Sequence, residues 1–154
     1  MALFLSNFTN KIDKKGRVSV PAQFRQAVSD QDYLGVIVYE SFVNQSIEGC
    51  DIGRIRQLSD SIDELDPFSE TRDAFATSIL GGSVQLPFDA DGRVVLPDSL
   101  IEFANLKDGA TFVGKGKTFE IWKPESFLDY MKKAKEKARE DRASLRLTKP
   151  LVKE

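Results

Sequence analysis

The chain has 154 residues, 41% of them apolar and 30% charged, with a formal net charge of −2, one cysteine and no histidine. That composition belongs to folded globular protein and excludes fibrous and disordered classes. The single Cys50 excludes an internal disulfide framework and fits a reducing compartment, and the lack of histidine excludes Ser-His and Cys-His dyads and the common zinc sites.

The N-terminal stretch MALFLSNFTNK has no positively charged leader and only about four apolar residues in a row, so it does not read as a signal peptide. No run approaches the roughly 18 apolar residues of a membrane helix, and a cytoplasmic location is expected. Charge is spread unevenly: residues 1–29 carry +4, 30–72 carry −7, 73–130 carry −4 and 131–154 carry +5. An acidic body with basic ends can steer a polyanion to one face.

The first element is a loop between short strands, IDKKGRVSVP, from Ile12 to Pro21, and it returns as FDADGRVVLP from Phe88 to Pro97. Asp, Gly, Arg, Val and Pro recur at a constant offset of 76. Asp followed three residues later by Gly fills a type I turn: the carboxylate caps backbone N–H groups and glycine accepts a positive φ. Asp13, Gly16, Asp89 and Gly92 therefore have a structural task as turn formers within hairpin connections.

A short helical pattern follows each loop, over Ala22–Val28 and Asp98–Ala104, with Pro21 and Pro97 where the helix begins. Phe24 with Val28, and Leu100 with Ala104, share a helix face. Next come hairpin-like β runs, Tyr33–Ser41 and Val43–Asp51 in the first copy, Ala110–Gly116 and Lys117–Pro124 in the second. Ile47-Glu48 aligns with Phe119-Glu120 at an offset of 72, so the second copy has lost four residues on the way. Each copy closes with a helix: Asp51–Leu65, with a stripe of Ile52, Ile55, Leu58, Ile62 and Leu65, and Pro124–Glu140, with Phe127, Leu128, Met131 and Ala138.

Each half thus reads β-β-α-β-β-α, an α+β class dominated by strand. The expected halves are 1–66 and 74–142, joined through 63–73, with a basic tail at 143–154. A half of this size with short strands buries little alone, so the two should pack as a pseudo-dimer around one core. Trp122 and its strand belong to that core.

The turn does not require arginine after the glycine. Arg17 and Arg93 either bridge to their own aspartates or project as fork-shaped donors. In the first loop Lys14 and Lys15 flank the arginine and Lys11 lies at the strand end. Four cations on one tight loop repel each other, and a polyanion offsets that repulsion through counterion release. A two-stranded ribbon also fits the major groove of DNA, where arginine can take guanine O6 and N7 together. The second loop carries Asp91 where the first has Lys15, and there a structural role for Arg93 is favoured.

Other readings are weaker. Glu48 and Asp51 beside Cys50 raise rather than lower a thiol pKa, and Asp89 of the Asp89/Asp91 pair is already engaged in a turn. No catalytic residue, metal, cofactor or small-molecule substrate is expected. Residues 131–149 read as a lysine-rich solvated helix, though an antitoxin-type regulator would use such a tail to hold a toxin; a structural scaffold would leave the first loop's cations unexplained.

The stretches FLSNFTNKIDKKGRVSVPAQFR and LPFDADGRVVLPDSLIEFANL, with FEIWKPESF after them, closely resemble the MraZ family of bacterial proteins, built from two tandem SpoVT-AbrB-like domains. The likeness runs from about Phe4 to Phe127. It implies a swapped-hairpin barrel pseudo-dimer and a sequence-specific DNA-binding transcriptional regulator, cytoplasmic and nucleoid-associated. Such a regulator typically represses the division and cell wall gene cluster and its own promoter, working as a ring of subunits whose signature loops face DNA. By position, Asp13, Lys15, Gly16 and Arg17 match the first signature and Asp89, Gly92 and Arg93 the second, with Asp91 departing from it. The expected DNA contacts are Lys11, Lys14, Lys15, Arg17 and Arg93. The expected operator holds short direct repeats about one helical turn apart. Phe4, Leu5 and Phe8 are candidates for contacts between copies.

Overall fold

The computed structural model describes residues 2–148, and in it the doubled sequence becomes doubled structure. The first copy supplies β1 (Asn7–Lys11), β2 (Arg17–Ser19), α1 (Ala22–Ala27), β3 (Gly35–Glu40), β4 (Ile47–Cys50) and α2 (Ile52–Asp63). After α3 (Glu70–Phe75) and a π-helical turn (Ala76–Gly81), the second supplies β5 (Val84–Pro87), β6 (Arg93–Val95), α4 (Asp98–Phe103), β7 (Gly109–Gly114), β8 (Phe119–Trp122) and α5 (Pro124–Glu140). A 3₁₀ turn, Arg142–Ser144, follows. Residues up to Pro124 form one compact unit, and the described residues from Glu125 onward form a second. The last residues of the 143–154 tail, 149–154, lie outside the described residues. No helix among those described is long and apolar enough to cross a membrane.

The six-stranded sheet runs β1-β7-β8-β4-β3-β5, all antiparallel, and β2 pairs with β6 in a separate ribbon. Each copy lends its first strand to the other's hairpin: β1 pairs with β7, and β5 with β3. An approximate two-fold axis follows, because Val18 faces Val94 and Glu48 faces Glu120, each residue opposite its own repeat equivalent. The register also places the deletion. Lys11 faces Gly109 while Pro87 faces Gly35, which aligns β3 with β7 at an offset of 74; two residues are lost before that strand and two in the turn after it.

The core lies between the sheet, the ribbon and the two short helices. Phe24 and Val28 of the first helical segment and Leu100 and Ala104 of the second are all buried in it. Phe4 packs edge-on against Phe24 and Phe119 at centroid distances of 5.2 and 5.0 Å, a favoured aromatic geometry. This corrects the reading of the N-terminal phenylalanines as contacts between copies: Phe4 is fully buried and Phe8 is packed on the core, leaving only Leu5 exposed. A smaller cluster of Tyr39, Cys50, Ile62 and Ile79 forms where α2 and the π turn cover part of the sheet's other face. Asp51 caps α2, accepting from the Arg54 N–H at 2.8 Å.

Candidate nucleic-acid interface

The two signature turns have one construction. In the first, Gly16 N–H donates to the Asp13 carbonyl at 3.0 Å and Asp13 N–H to the Arg17 carbonyl at 3.0 Å. The Asp13 carboxylate accepts from the Lys15 and Arg17 N–H groups, both at 2.9 Å, and from Arg17 Nε at 2.6 Å. In the second, Asp89 accepts from the Asp91 N–H at 2.8 Å, the Arg93 N–H at 2.9 Å and Arg93 Nε at 3.0 Å. Gly16 and Gly92 take φ of +81° and +75°. Both carboxyls are held below their ordinary value of 3.8, chiefly by the N–H of the arginine four residues on, with that arginine's side chain and the second N–H adding to it.

The fold brings the turns to the two ends of one ribbon. Arg17 faces Val95, Val18 faces Val94 and Ser19 faces Arg93. The turns are cross-linked as well: Val20 N–H donates to the Gly92 carbonyl at 3.1 Å, and Leu96 N–H to the Gly16 carbonyl at 2.9 Å. Since alternate residues of a strand share a face, Val18 and Val94 point into the core while Arg17, Ser19, Arg93 and Val95 form the outer face. From strand geometry the Cα atoms of Arg17 and Arg93 lie diagonally about 8 Å apart.

The ends differ in charge. Arg17 uses Nε on Asp13, its side chain is 37% exposed, and its terminal guanidinium nitrogens have no partner among the described residues. Lys11, Lys14 and Lys15 are exposed and have no acidic partner among the described residues. Arg93 is spent twice, through Nε on Asp89 and through Nη2 on Asp91 at 3.1 Å.

Arg25 is a residue that the sequence reading counted only as a charge. It donates from Nε to the Val20 carbonyl at 3.1 Å and lays its guanidinium over Gly92, where an added Cβ would meet it at 2.7 Å. The repeat-equivalent neighbour of Gly16 is the apolar Ile101. The first copy's helix therefore delivers a cation to the second copy's turn, a placement that only the pairing of the halves reveals. Asn10, Ser19, Gln23 and Arg25 line a groove of about 380 Å³ beside the ribbon.

Cys50 is buried, and burial first, then Asp51 and Glu48, pushes its thiol up to about 12. The sequence reading had the direction from the two acids; burial is the larger cause. Among the described residues no group of three or more metal-ligating side chains is assembled.

Two halves exchange first strands and set paired D-x-x-G-R turns on one shared ribbon, a duplicated, mainly antiparallel α+β protein of the kind that the sequence likeness implies. Residues 79–148 match the family profile described as "MraZ protein, putative antitoxin-like". A relative from Pelagibacter ubique (strain HTCC1062), named "Transcriptional regulator MraZ", is 54% identical over 147 residues, covering 96% of this chain and 95% of its own. Proteins of the same name from Rickettsia bellii (strain OSU 85-389) and Rickettsia akari (strain Hartford) are 51% identical over 96% of this chain and 99% of theirs, and 50% identical over 95% and 98%. The chain belongs to the MraZ family.

Proposed function

We propose that this chain is a transcriptional regulator that binds double-stranded DNA through the β2–β6 ribbon, with the first turn as its principal contact. The observation that carries this reading is the imbalance between the two turns: one presents a half-used guanidinium and three lysines with no acidic partner among the described residues, the other an arginine held by two carboxylates. A fold alone gains nothing from clustered unpaired cations; a phosphate backbone does. The regulatory role follows the name that the relatives carry.

The roles divide by chemistry. Asp13 fixes the Nε edge of Arg17, which presets the guanidinium plane and leaves the terminal nitrogens for guanine O6 and N7. Lys11, Lys14 and Lys15 contact phosphates and set the register. Val95, exposed and directly across from Arg17, offers methyl groups to a neighbouring thymine. At the other end, Arg25 and Arg93 give weaker backbone contacts.

One loop neutralising about three phosphates binds non-specifically near 10⁻⁴ M and loses about 40-fold between 50 and 200 mM salt. Promoter control therefore needs several copies on one site. A ring of subunits, as the family likeness implies, makes later contacts intramolecular and raises avidity about 10²–10⁴-fold. In this reading the protein works in the cytoplasm at the nucleoid. It represses the division and cell wall gene cluster and its own promoter, at direct repeats spaced about 10 bp apart.

The test is a gel shift on the chain's own upstream DNA. Arg17→Ala should abolish the specific shift while light scattering gives an unchanged mass; an unaltered shift at the same concentration overturns the assignment. The antitoxin wording of the matched profile favours one second reading, a regulator that also holds a toxin through its C-terminal helix. Deleting residues 131–154 would then abolish toxin neutralisation and spare DNA binding.

A further inference from the structure

We propose that the apolar groove between α2 and the α3–π segment receives Leu145 and Leu147 from a second copy of the chain. The inference rests on the oligomer reading above and supplies it with a contact.

The groove has a volume of about 230 Å³ and is lined by Leu58, Ser61, Ile62, Leu65, Phe75 and Ile79. Leu65 and Phe75 are 36% and 39% exposed at its mouth, and Phe68 nearby is 95% exposed. Isolated apolar residues on a surface are ordinary; a grouped set around a cleft marks a contact surface. Its surroundings are strongly acidic. Between residues 58 and 79 the chain has Asp60, Asp63, Glu64, Asp66, Glu70 and Asp73 against Arg72 alone.

The segment after α5 has the complementary character. Leu145 and Leu147 are 85% and 99% exposed. Residues 142–148 contain Arg142 and Arg146 and no acid. Leu145 is extended, with φ −94° and ψ 123°. In an extended segment Leu145 and Leu147 fall on one side, about 7 Å apart, and Arg146 on the other. Two leucines can then enter the cleft while the arginine meets the carboxylates of its rim. A contact from the tail of one copy to the body of the next is heterologous, the kind that closes into rings.

The test uses the full chain with Cys50 retained, since that thiol is buried and unreactive. Leu65→Cys and Leu147→Cys, made as separate proteins, are mixed and mildly oxidised. A disulfide-linked pair found only in the mixture is expected, and the doubly substituted chain should give a ladder of linked copies. A closed single-chain product from the double variant would show the tail docking on its own body and would overturn the proposal. No cross-link with a multi-copy mass by light scattering overturns it and leaves the oligomer reading standing; a single-chain mass for the unmodified protein removes both. Independently, Leu145→Asp/Leu147→Asp should lower the assembly mass at least two-fold with the melting temperature unchanged, and an unaltered mass would count against the contact.

Discussion

At Gly16 a Cβ would sit 2.9 Å from the Leu96 carbonyl oxygen, which is backbone, whereas at Gly92 it would meet the side chain of Arg25, which can swing away. Both positions have left-handed φ, which costs an L-residue about 1–2 kcal/mol. Gly16→Ala should therefore destabilise by about 2–3 kcal/mol and Gly92→Ala by about 1–2 kcal/mol, read as denaturant midpoints; equal losses would show that the Leu96 contact relaxes freely. The two aspartates make a prediction about pH. Their folded values lie below 3.8, so their contribution to the turns is whole above that value and is lost as pH falls through the lowered one. An NMR titration should move the Arg17 and Arg93 amide resonances with midpoints under 3.8, and midpoints at or above it would mean that the carboxylates are not engaged. At this scale the turns were legible from spacing alone, because Asp and Gly act within five residues. The different state of the two arginines was half legible, from Asp91 in the place of Lys15. Arg25 was not, since its partner turn is 67 residues away and is reached only through the exchanged strands.

Among the elements, the β4–β8 pair on the pseudo-two-fold axis depends on a charge. Glu120 is 3% exposed and accepts from Ser46 Oγ at 3.0 Å, Asn44 Nδ2 at 3.3 Å, Lys115 Nζ at 3.1 Å and Trp122 Nε1 at 3.1 Å. It thereby ties the β3–β4 turn of one half to the β7–β8 hairpin of the other. Removing it takes an acceptor from Ser46, which is fully buried, and from the other three donors at once, a class of change costing about 1–3 kcal/mol or somewhat more for a charged acceptor. Glu120→Ala should cost about 3 kcal/mol and Glu120→Gln less, measured by thermal or denaturant melts; a change under about 0.5 kcal/mol for the alanine variant would show that water replaces the carboxylate there. The repeat alignment matched Glu48 with Glu120 yet gave neither a task, because a glutamate in a short strand reads as a solvated face and the donors come from loops far apart in sequence. The strands and helices themselves were legible, since each copy's pattern supports the other's. Helix α5 runs over Pro124–Glu140, the span of its apolar pattern and starting proline, while α2 (Ile52–Asp63) ends short of Leu65. Exchange of β1 and β5 came from the family likeness, because antiparallel pairing within a half satisfies the same pattern. The helical α3–π segment after Pro67 was not read at all, for its few apolar residues show no sustained period.

For the molecule as a whole the two-fold construction makes a prediction that one substitution can test: the second end of the ribbon also meets DNA, more weakly than the first. The backbone is nearly the same at both ends, so the difference is carried by charge. Asp91→Lys removes the carboxylate at 3.1 Å from Arg93 Nη2 and adds a cation at an exposed site, a change of two charges per chain with the Asp89 turn left in place. If the second end lies against the duplex, each chain gains about one further phosphate contact, which steepens the slope of log K against log salt by about 0.9 per engaged chain. Affinity at 50 mM salt should rise accordingly, and the upstream preference should fall, because the added contact is to the backbone. The measurement is binding to the same upstream duplex and to a random one across 50–200 mM salt, alongside Lys15→Asp, which makes the first turn resemble the second and should flatten the slope by a similar amount. A response to Lys15→Asp with none to Asp91→Lys would mean that the ribbon tilts and touches DNA at its first end alone. No response to either would show that the cations of the first turn serve something other than a phosphate backbone, and the DNA-binding reading of the ribbon would fall.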